Sequence, residues 1–156
     1  MADLIAIEIT QDSITQAFAG LIGRTSDFSS ITRQIAQDLV TQTAFNFQNE
    51  SGPDSSGQAV PWKKSKRAIR ENGQTLTDKG ILRRSVFPSN TPFTASIAAG
   101  VEYGAIHQFG GETGRGKKTI LPARPFLPFG GPQGDVLQVD VLAEVINTIS
   151  AYIAKQ

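Results

Sequence analysis

From Phe28 to Phe47 the apolar residues return every three or four positions: Phe28, Ile31, Ile35, Ala36, Leu39, Val40, Ala44 and Phe47. That spacing puts them on one face of a helix about five turns long. Ser26 or Asp27 stands where a cap is needed. A helix with one apolar stripe persists only if another element covers the stripe, so this stretch dictates layered packing. A shorter stripe precedes it, Ile14, Ala17, Phe18, Leu21 and Ile22, with Asp12 or Ser13 as cap and Gly23 as stop. Few residues join the two, which predicts an antiparallel pair. Neither stripe carries a histidine or paired carboxylates, so both read as packing faces.

Other segments alternate with a period of two. Ile5, Ile7 and Ile9 point one way between Leu4 and Thr10, as in a half-buried strand or extended arm. Val86-Phe87 and Phe93 to Val101 read as strands around a turn at Pro88 to Pro92, with Ala95, Ile97 and Ala99 small enough to let another element lie close. Gln48 to Val60, with Gly52, Pro53 and Gly57, reads as an exposed loop; it has no Gly-Lys-Ser/Thr ending for a phosphate cradle. Val139, Leu142, Val145, Ile146, Ile149 and Ile153 return to helical spacing, but β-branching makes this helix dependent on a packing partner. The expected fold class is α+β: two N-terminal helices, a small mainly antiparallel sheet, and a C-terminal helix packed on it. At 156 residues the chain fits one domain, 1–156, with mobile loops at about 48–61 and 110–119.

Composition narrows the chemistry. There is no cysteine, hence no disulfide, thiolate metal site or Cys nucleophile, and a single histidine cannot make a two-His metal site. The start, Met1-Ala2-Asp3, lacks the basic and apolar regions of a signal peptide, and no apolar run approaches the roughly 20 residues of a membrane span. Ser85 is a candidate hydroxyl, but a nucleophilic serine needs a base and the only histidine lies in another segment. The carboxylates form no convincing dyad. The chain is therefore read as having no catalytic, cofactor or metal residues, and as not an enzyme.

Charge is unevenly spread. Lys63 to Arg124 holds 12 basic and 4 acidic residues, net +8, while the rest is net −7, giving the overall +1. Lone Trp62 precedes Lys63, Lys64, Lys66 and Arg67, and a second basic group, Arg115, Lys117 and Lys118, follows. The asymmetry suits a nucleic-acid face or the acidic part of a neighbouring copy, while any single Lys or Arg reads as solvated surface. For Trp62 the favoured reading is that it caps a small core, with the Lys and Arg stems lying over it.

The densest cluster of uncommon residues is Tyr103 to Leu127: Tyr-Gly-Ala-Ile-His-Gln-Phe-Gly-Gly, a polar loop, then Pro-Ala-Arg-Pro-Phe-Leu. Tyr103 and His107 are four apart and share a helical face. Gly110 or Gly111 ends the turn, and Pro122 and Pro125 fix the return. His107 reads as structural, bonded through one ring nitrogen and packed on Tyr103, in preference to a neutral-pH switch. Phe126 either fills its own subunit's core or, held with Arg124 by the prolines, meets a neighbour.

These two strings in this order resemble the phage virion-morphogenesis, or tail-completion, family of Mu-like phages. Tyr103, Ile106, His107, Gln108, Phe109, Gly110 and Gly111 match, then Pro122 to Leu127, with Gly104 where alanine is commoner. Leu76, Gly80, Leu82 and Ser85 match a second, looser segment, with Lys79 where a hydroxyl residue is more usual. The resemblance implies a structural protein that completes the tail or joins it to the head, as a ring at the neck, hexameric because tails are sixfold. It implies as partners copies of itself and tail tube, sheath and neck or connector proteins, with possible contact to passing DNA and neither membrane nor small-molecule substrate. The place would be the virion tail or neck, after assembly in the host bacterial cytoplasm. Tyr103, His107, Phe109, Arg124, Pro125 and Phe126 are the expected subunit or partner interface. The alternative from composition is a sequence-independent nucleic-acid binder using the basic 63–124 region.

Overall fold

The computed structural model describes residues 5–8 and 27–155. The stripe at Ile14 to Ile22 lies outside the described residues. The long helix α1 is Ser29–Asn49. Asp27 Oδ1 accepts from the Ser29 amide at 2.8 Å, satisfying one of the free N–H groups at the helix start. The buried face holds Ile31, Ile35, Ala36, Leu39 and Phe47, as the spacing predicts, and also Thr32, Thr43 and Asn46. Thr43 returns its hydroxyl to the Leu39 carbonyl (2.9 Å), and Thr32 reaches the Thr91 carbonyl (2.6 Å), so burial leaves neither hydroxyl unbonded.

A three-stranded antiparallel sheet lies against α1, in the order β1 (Ile5–Glu8), β5 (Ala95–Ala99), β4 (Val86–Asn90). Ala99 pairs with both Ile5 and Val86. The central strand is small and buried, Ala95, Ile97, Ala98 and Ala99, which lets α1 pack on β4 and β5. Pro88 lies within β4, not in the turn, opposite Ile97. It is tolerated because β4 is the edge strand and proline has no amide to offer the ladder. The turn begins at Thr91, whose amide donates to the Thr94 carbonyl (2.9 Å) and whose Oγ1 accepts from the Thr94 amide (3.0 Å).

The C-terminal helix α5 is Val139–Ala154. It packs along α1, burying Val141, Val145 and Ile149, so α1 is covered by the sheet and by a second helix. Tyr152 meets Phe28 edge-on, closing that end.

The segment read as an exposed loop at 48–61 is a hairpin, β2 (Ser51–Pro53) with β3 (Ala59–Pro61). Two close backbone approaches hold it down. A Cβ on Gly52 would sit 1.7 Å from the Pro125 carbonyl oxygen, and one on Gly130 would sit 1.9 Å from that of Asp54. The Asp54 carboxylate closes the turn by accepting from the Ser56 and Gln58 amides (2.8 and 3.0 Å) and the Ser56 hydroxyl (2.7 Å), which lowers its pKa. The stretch 110–119 enters a second hairpin, β6 (Gly111–Thr113) with β7 (Thr119–Leu121), with Arg115–Lys117 as a 3-10 turn at its tip. Three short helices, α2 (Lys66–Glu71), α3 (Ile81–Arg84) and α4 (Gly104–Phe109), stand between these parts, and β8 (Phe129–Gly130) pairs with β9 (Val136–Leu137) before α5.

Candidate functional site

The centre of the molecule is the segment Arg124 to Phe129, extended but not part of the main sheet. Its polar backbone is satisfied by side chains from three elements. Trp62 Nε1 donates to the Pro125 carbonyl (3.0 Å), and Asn46 Nδ2 to that of Phe126 (3.2 Å). Gln108 Oε1 accepts from the Phe126 and Leu127 amides (both 3.0 Å), while its Nε2 donates to the Phe129 carbonyl (2.8 Å). Asn46 also donates to Gln138 Oε1 (2.9 Å). Asn46, Gln108 and Gln138 are all buried; the first two amides replace ladder bonds that an irregular segment cannot make, and Gln138 in turn accepts from Asn46.

Phe126 is wholly buried against Phe47, ring centroids 5.5 Å apart, and Phe47 meets Trp62 edge-on at 5.8 Å. Of the two readings of Phe126, its burial fits the one in which it fills its own subunit's core: it points inward, after Pro125. Arg124 is also buried. Its Nε donates to the Lys63 carbonyl and its amide to the His107 carbonyl, both at 2.7 Å. It ties three segments of one subunit instead of projecting to a neighbour. Trp62 is a core residue, as the packing interpretation held. Ser85 Oγ is spent on the Leu82 carbonyl (2.7 Å).

Beside Arg124, at the start of this segment, lies an open cleft of about 630 Å³. It brings together Lys63, Lys64, Lys66 and Arg67 with Tyr103, His107 and Arg124, which are far apart in the chain. Phe109 is exposed outside it, Pro125 is not among its lining residues, and Arg115, Lys117 and Lys118 stand exposed around the tip of the β6–β7 hairpin. Sequence reasoning missed the apolar floor: Leu76, Ile81, Leu82, Ile120, Leu121 and Pro122. The available signal was large apolar residues in polar surroundings. Ile120 is 77% exposed, Ile81 49% and Tyr103 44%. Leu76 has φ +61°, a left-handed backbone that costs a non-glycine residue about 1–2 kcal/mol, and lines the floor in that conformation.

Local sequence explains the walls. Ser65 caps α2 by accepting from the Ala68 amide (3.1 Å), which sets Lys66 and Arg67 in its first turn. Glu50, itself left-handed at φ +50°, accepts from the Thr75 amide (2.6 Å) and anchors the turn that carries Leu76. That bond holds its carboxyl below the ordinary pKa. Gly110 ends α4 with φ +70°; a Cβ there would lie 2.6 Å from the Ala123 nitrogen, so the family-like Gly is needed for β7 and its return to lie alongside.

The cleft is strongly cationic. Arg67 pairs with Glu71 (3.4 Å) and approaches Asp78 at 4.0 Å, and Lys64 lies 4.0 Å from Glu50. Lys63, Lys66 and Lys79 have no ion pair among the described residues. His107 stacks edge-on to Tyr103, centroids 6.0 Å apart, and its Nδ1 is buried without a hydrogen-bond partner among the described residues. Burial, then the charge of Arg124, pushes its pKa down. Folding thus favours the neutral imidazole, whereas the unfolded chain takes up a proton near pH 6.5. Stability is full above that pH and falls as pH drops through it toward the folded value. The expected result is a melting temperature that declines between about pH 7.5 and 5.5, with the decline reduced in His107→Gln. An equal decline in both proteins would show that His107 is not its source.

A cationic, apolar-floored cleft suits docking of an anionic and apolar surface. The comparisons agree with the two strings at Tyr103 and Pro122. The model of the phage virion morphogenesis family matches residues 9–148. The chain belongs to that family. Proteins similar to it include the Mu-like prophage FluMu G protein 2 of Haemophilus influenzae, 37% identical over 125 residues, which are 80% of this chain and 83% of that one. The putative capsid assembly protein G of Escherichia phage Mu is 30% identical over 112 residues, 68% of this chain and 72% of that one. No solved structure matches the chain significantly. The protein is thus a phage assembly protein of mixed helix and small antiparallel sheets, associated with the virion.

Proposed function

We propose that this family member completes the phage tail or joins it to the head, working as a ring of its own copies, six by the symmetry of tails, at the neck. Its part is structural, not catalytic. Its partners are the tail tube, sheath and neck or connector proteins. The observation that carries this reading is how the family-matching residues are used. Gln108, Arg124 and Phe126 are spent on internal support, and the surface they support is a broad cation-rimmed cleft with an apolar floor. Such a surface suits protein docking.

The test is imaging of virions carrying a labelled copy of the chain, together with a phage whose own copy is disrupted. Density for the label as a ring at the neck is expected, with filled heads and unjoined tails accumulating in the disrupted phage. Label absent from the neck would refute the placement. Nucleic-acid binding is supported by the exposed Arg115, Lys117 and Lys118. It would displace the assembly reading if the isolated monomer shifted DNA in a salt-sensitive way and no ring formed.

A further inference from the structure

The outer face of α5 carries what the cleft lacks. Val139, Ala143, Ile146, Ser150 and Ile153 follow at spacings of four, three, four and three, and all five are exposed. Ile146 is 52% exposed on a helix whose inner face already covers α1. Asp140 and Glu144 flank the N-terminal half of this stripe, one turn apart, and Asp135 lies just before the helix. Among these residues the only base is Lys155, at the far end. An acid-edged apolar ridge therefore stands on the same molecule as a base-edged apolar cleft. No residue of α5 lines its own subunit's cleft, and packing on α1 fixes the helix in place. The two surfaces are complementary but cannot meet within one copy.

Resting on the ring reading, we propose that the cleft of each copy receives the N-terminal half of α5 from the next copy. Ile146 and Val139 lie on the floor made by Ile81, Ile120 and Leu121, while Asp140 and Glu144 meet Lys63 and Lys66. The contact is heterologous, so it repeats head to tail and closes a ring when the rotation closes. Nucleic acid is the poorer occupant. The floor is aliphatic, and of the lining residues only Tyr103 and His107 carry aromatic rings, whereas base stacking needs aromatic platforms.

Charge inversion tests this with the full chain. One variant carries Lys63→Glu and Lys66→Glu, and a second carries Asp140→Lys and Glu144→Lys. All four positions are exposed, and circular dichroism must show wild-type melting. If the Asp140→Lys change alone lowers melting, Lys66→Glu against Glu144→Lys serves instead. Each variant is supplied to a phage lacking its own functional copy, and infectious titre and neck rings are scored. Each alone is expected to lower the titre at least about 100-fold, since facing like charges oppose each contact. All four changes in one chain should restore titre to within about tenfold of wild type. Co-expressing the two variants should also restore it, because they can alternate around an even-numbered ring. Near-wild-type titre for either variant, or a fourfold variant no better than its halves, would overturn the proposal. If rings stand at the neck and both variants still build them, only this contact fails. If the wild-type chain completes tails without any ring, the ring reading itself fails.

Discussion

Phe126→Ala is expected to cost the isolated domain about 3–5 kcal/mol, the range for deleting a fully buried aromatic. The ring is wholly inaccessible and shares its contacts with Phe47, which in turn rests on Trp62. Truncation therefore opens a void beside two other aromatics that are themselves locked. Phe47 is anchored on α1, and Trp62 is held by its bond to the Pro125 carbonyl, so neither can move far to fill the space. The check is the urea midpoint of wild type and variant at equal denaturant slope. A shift worth less than about 1 kcal/mol would mean that the site collapses, and the packing argument would fall. Any loss of virion assembly in this variant is expected to follow from lost stability, not from a missing contact to a neighbour.

Gln108→Met should be nearly as severe, although it removes almost no volume. The amide serves three backbone groups at once, the Phe126 and Leu127 N–H groups and the Phe129 carbonyl. Methionine fills a similar space and can satisfy none of them. Each buried group left unbonded costs about 1–3 kcal/mol, so a loss of about 3–5 kcal/mol is expected after partial relaxation. Hydrogen exchange gives a second measurement. The Phe126 and Leu127 amides should exchange near the global unfolding rate in wild type and much faster in the variant. Protection unchanged by the substitution would show that Gln108 is not their partner in solution.

The long helix was legible because a period of 3.6 needs only local sequence. Ile31 to Phe47 announces its inward face, and the capping acid stands where expected. The C-terminal helix and the small central strand were legible for the same reason. The polar half of the interior was not. Thr43, Asn46, Gln108 and Gln138 are hydrophilic, and pattern reading sends such residues to the surface. Their burial follows from a strand that has no neighbour to bond, and that is a property of the tertiary fold. Gly52 misled for a related reason. In Ser-Gly-Pro it reads as a breaker, but it is glycine because the Pro125 carbonyl presses on it. The cleft was half legible. The run Lys63 to Arg67 and the pair Tyr103 and His107 were visible as clusters, but nothing local says that they share a wall with Ile81 and Ile120. For Phe126, the prolines gave rigidity without direction, and the direction is set by Phe47 on a distant helix.

The pinned segment also governs the order in which this chain can become itself during synthesis. Asn46 reaches Phe126 across 80 positions and Gln138 across 92, and Trp62 reaches Pro125 across 63. The helix that supplies Asn46 leaves the ribosome well before its partners, which follow it by 80 and 92 positions. Until they emerge, Phe47 on a finished α1 lacks the Phe126 ring that packs on it, and the loop entropy of closure must be met before any of these bonds rewards it. An unfinished chain therefore has no shaped cleft, because the Arg124 that braces its wall arrives with the same late segment. A shaped cleft is thereby tied to synthesis of the segment from Arg124 to Gln138, and copies cut short before it lack one by topology alone.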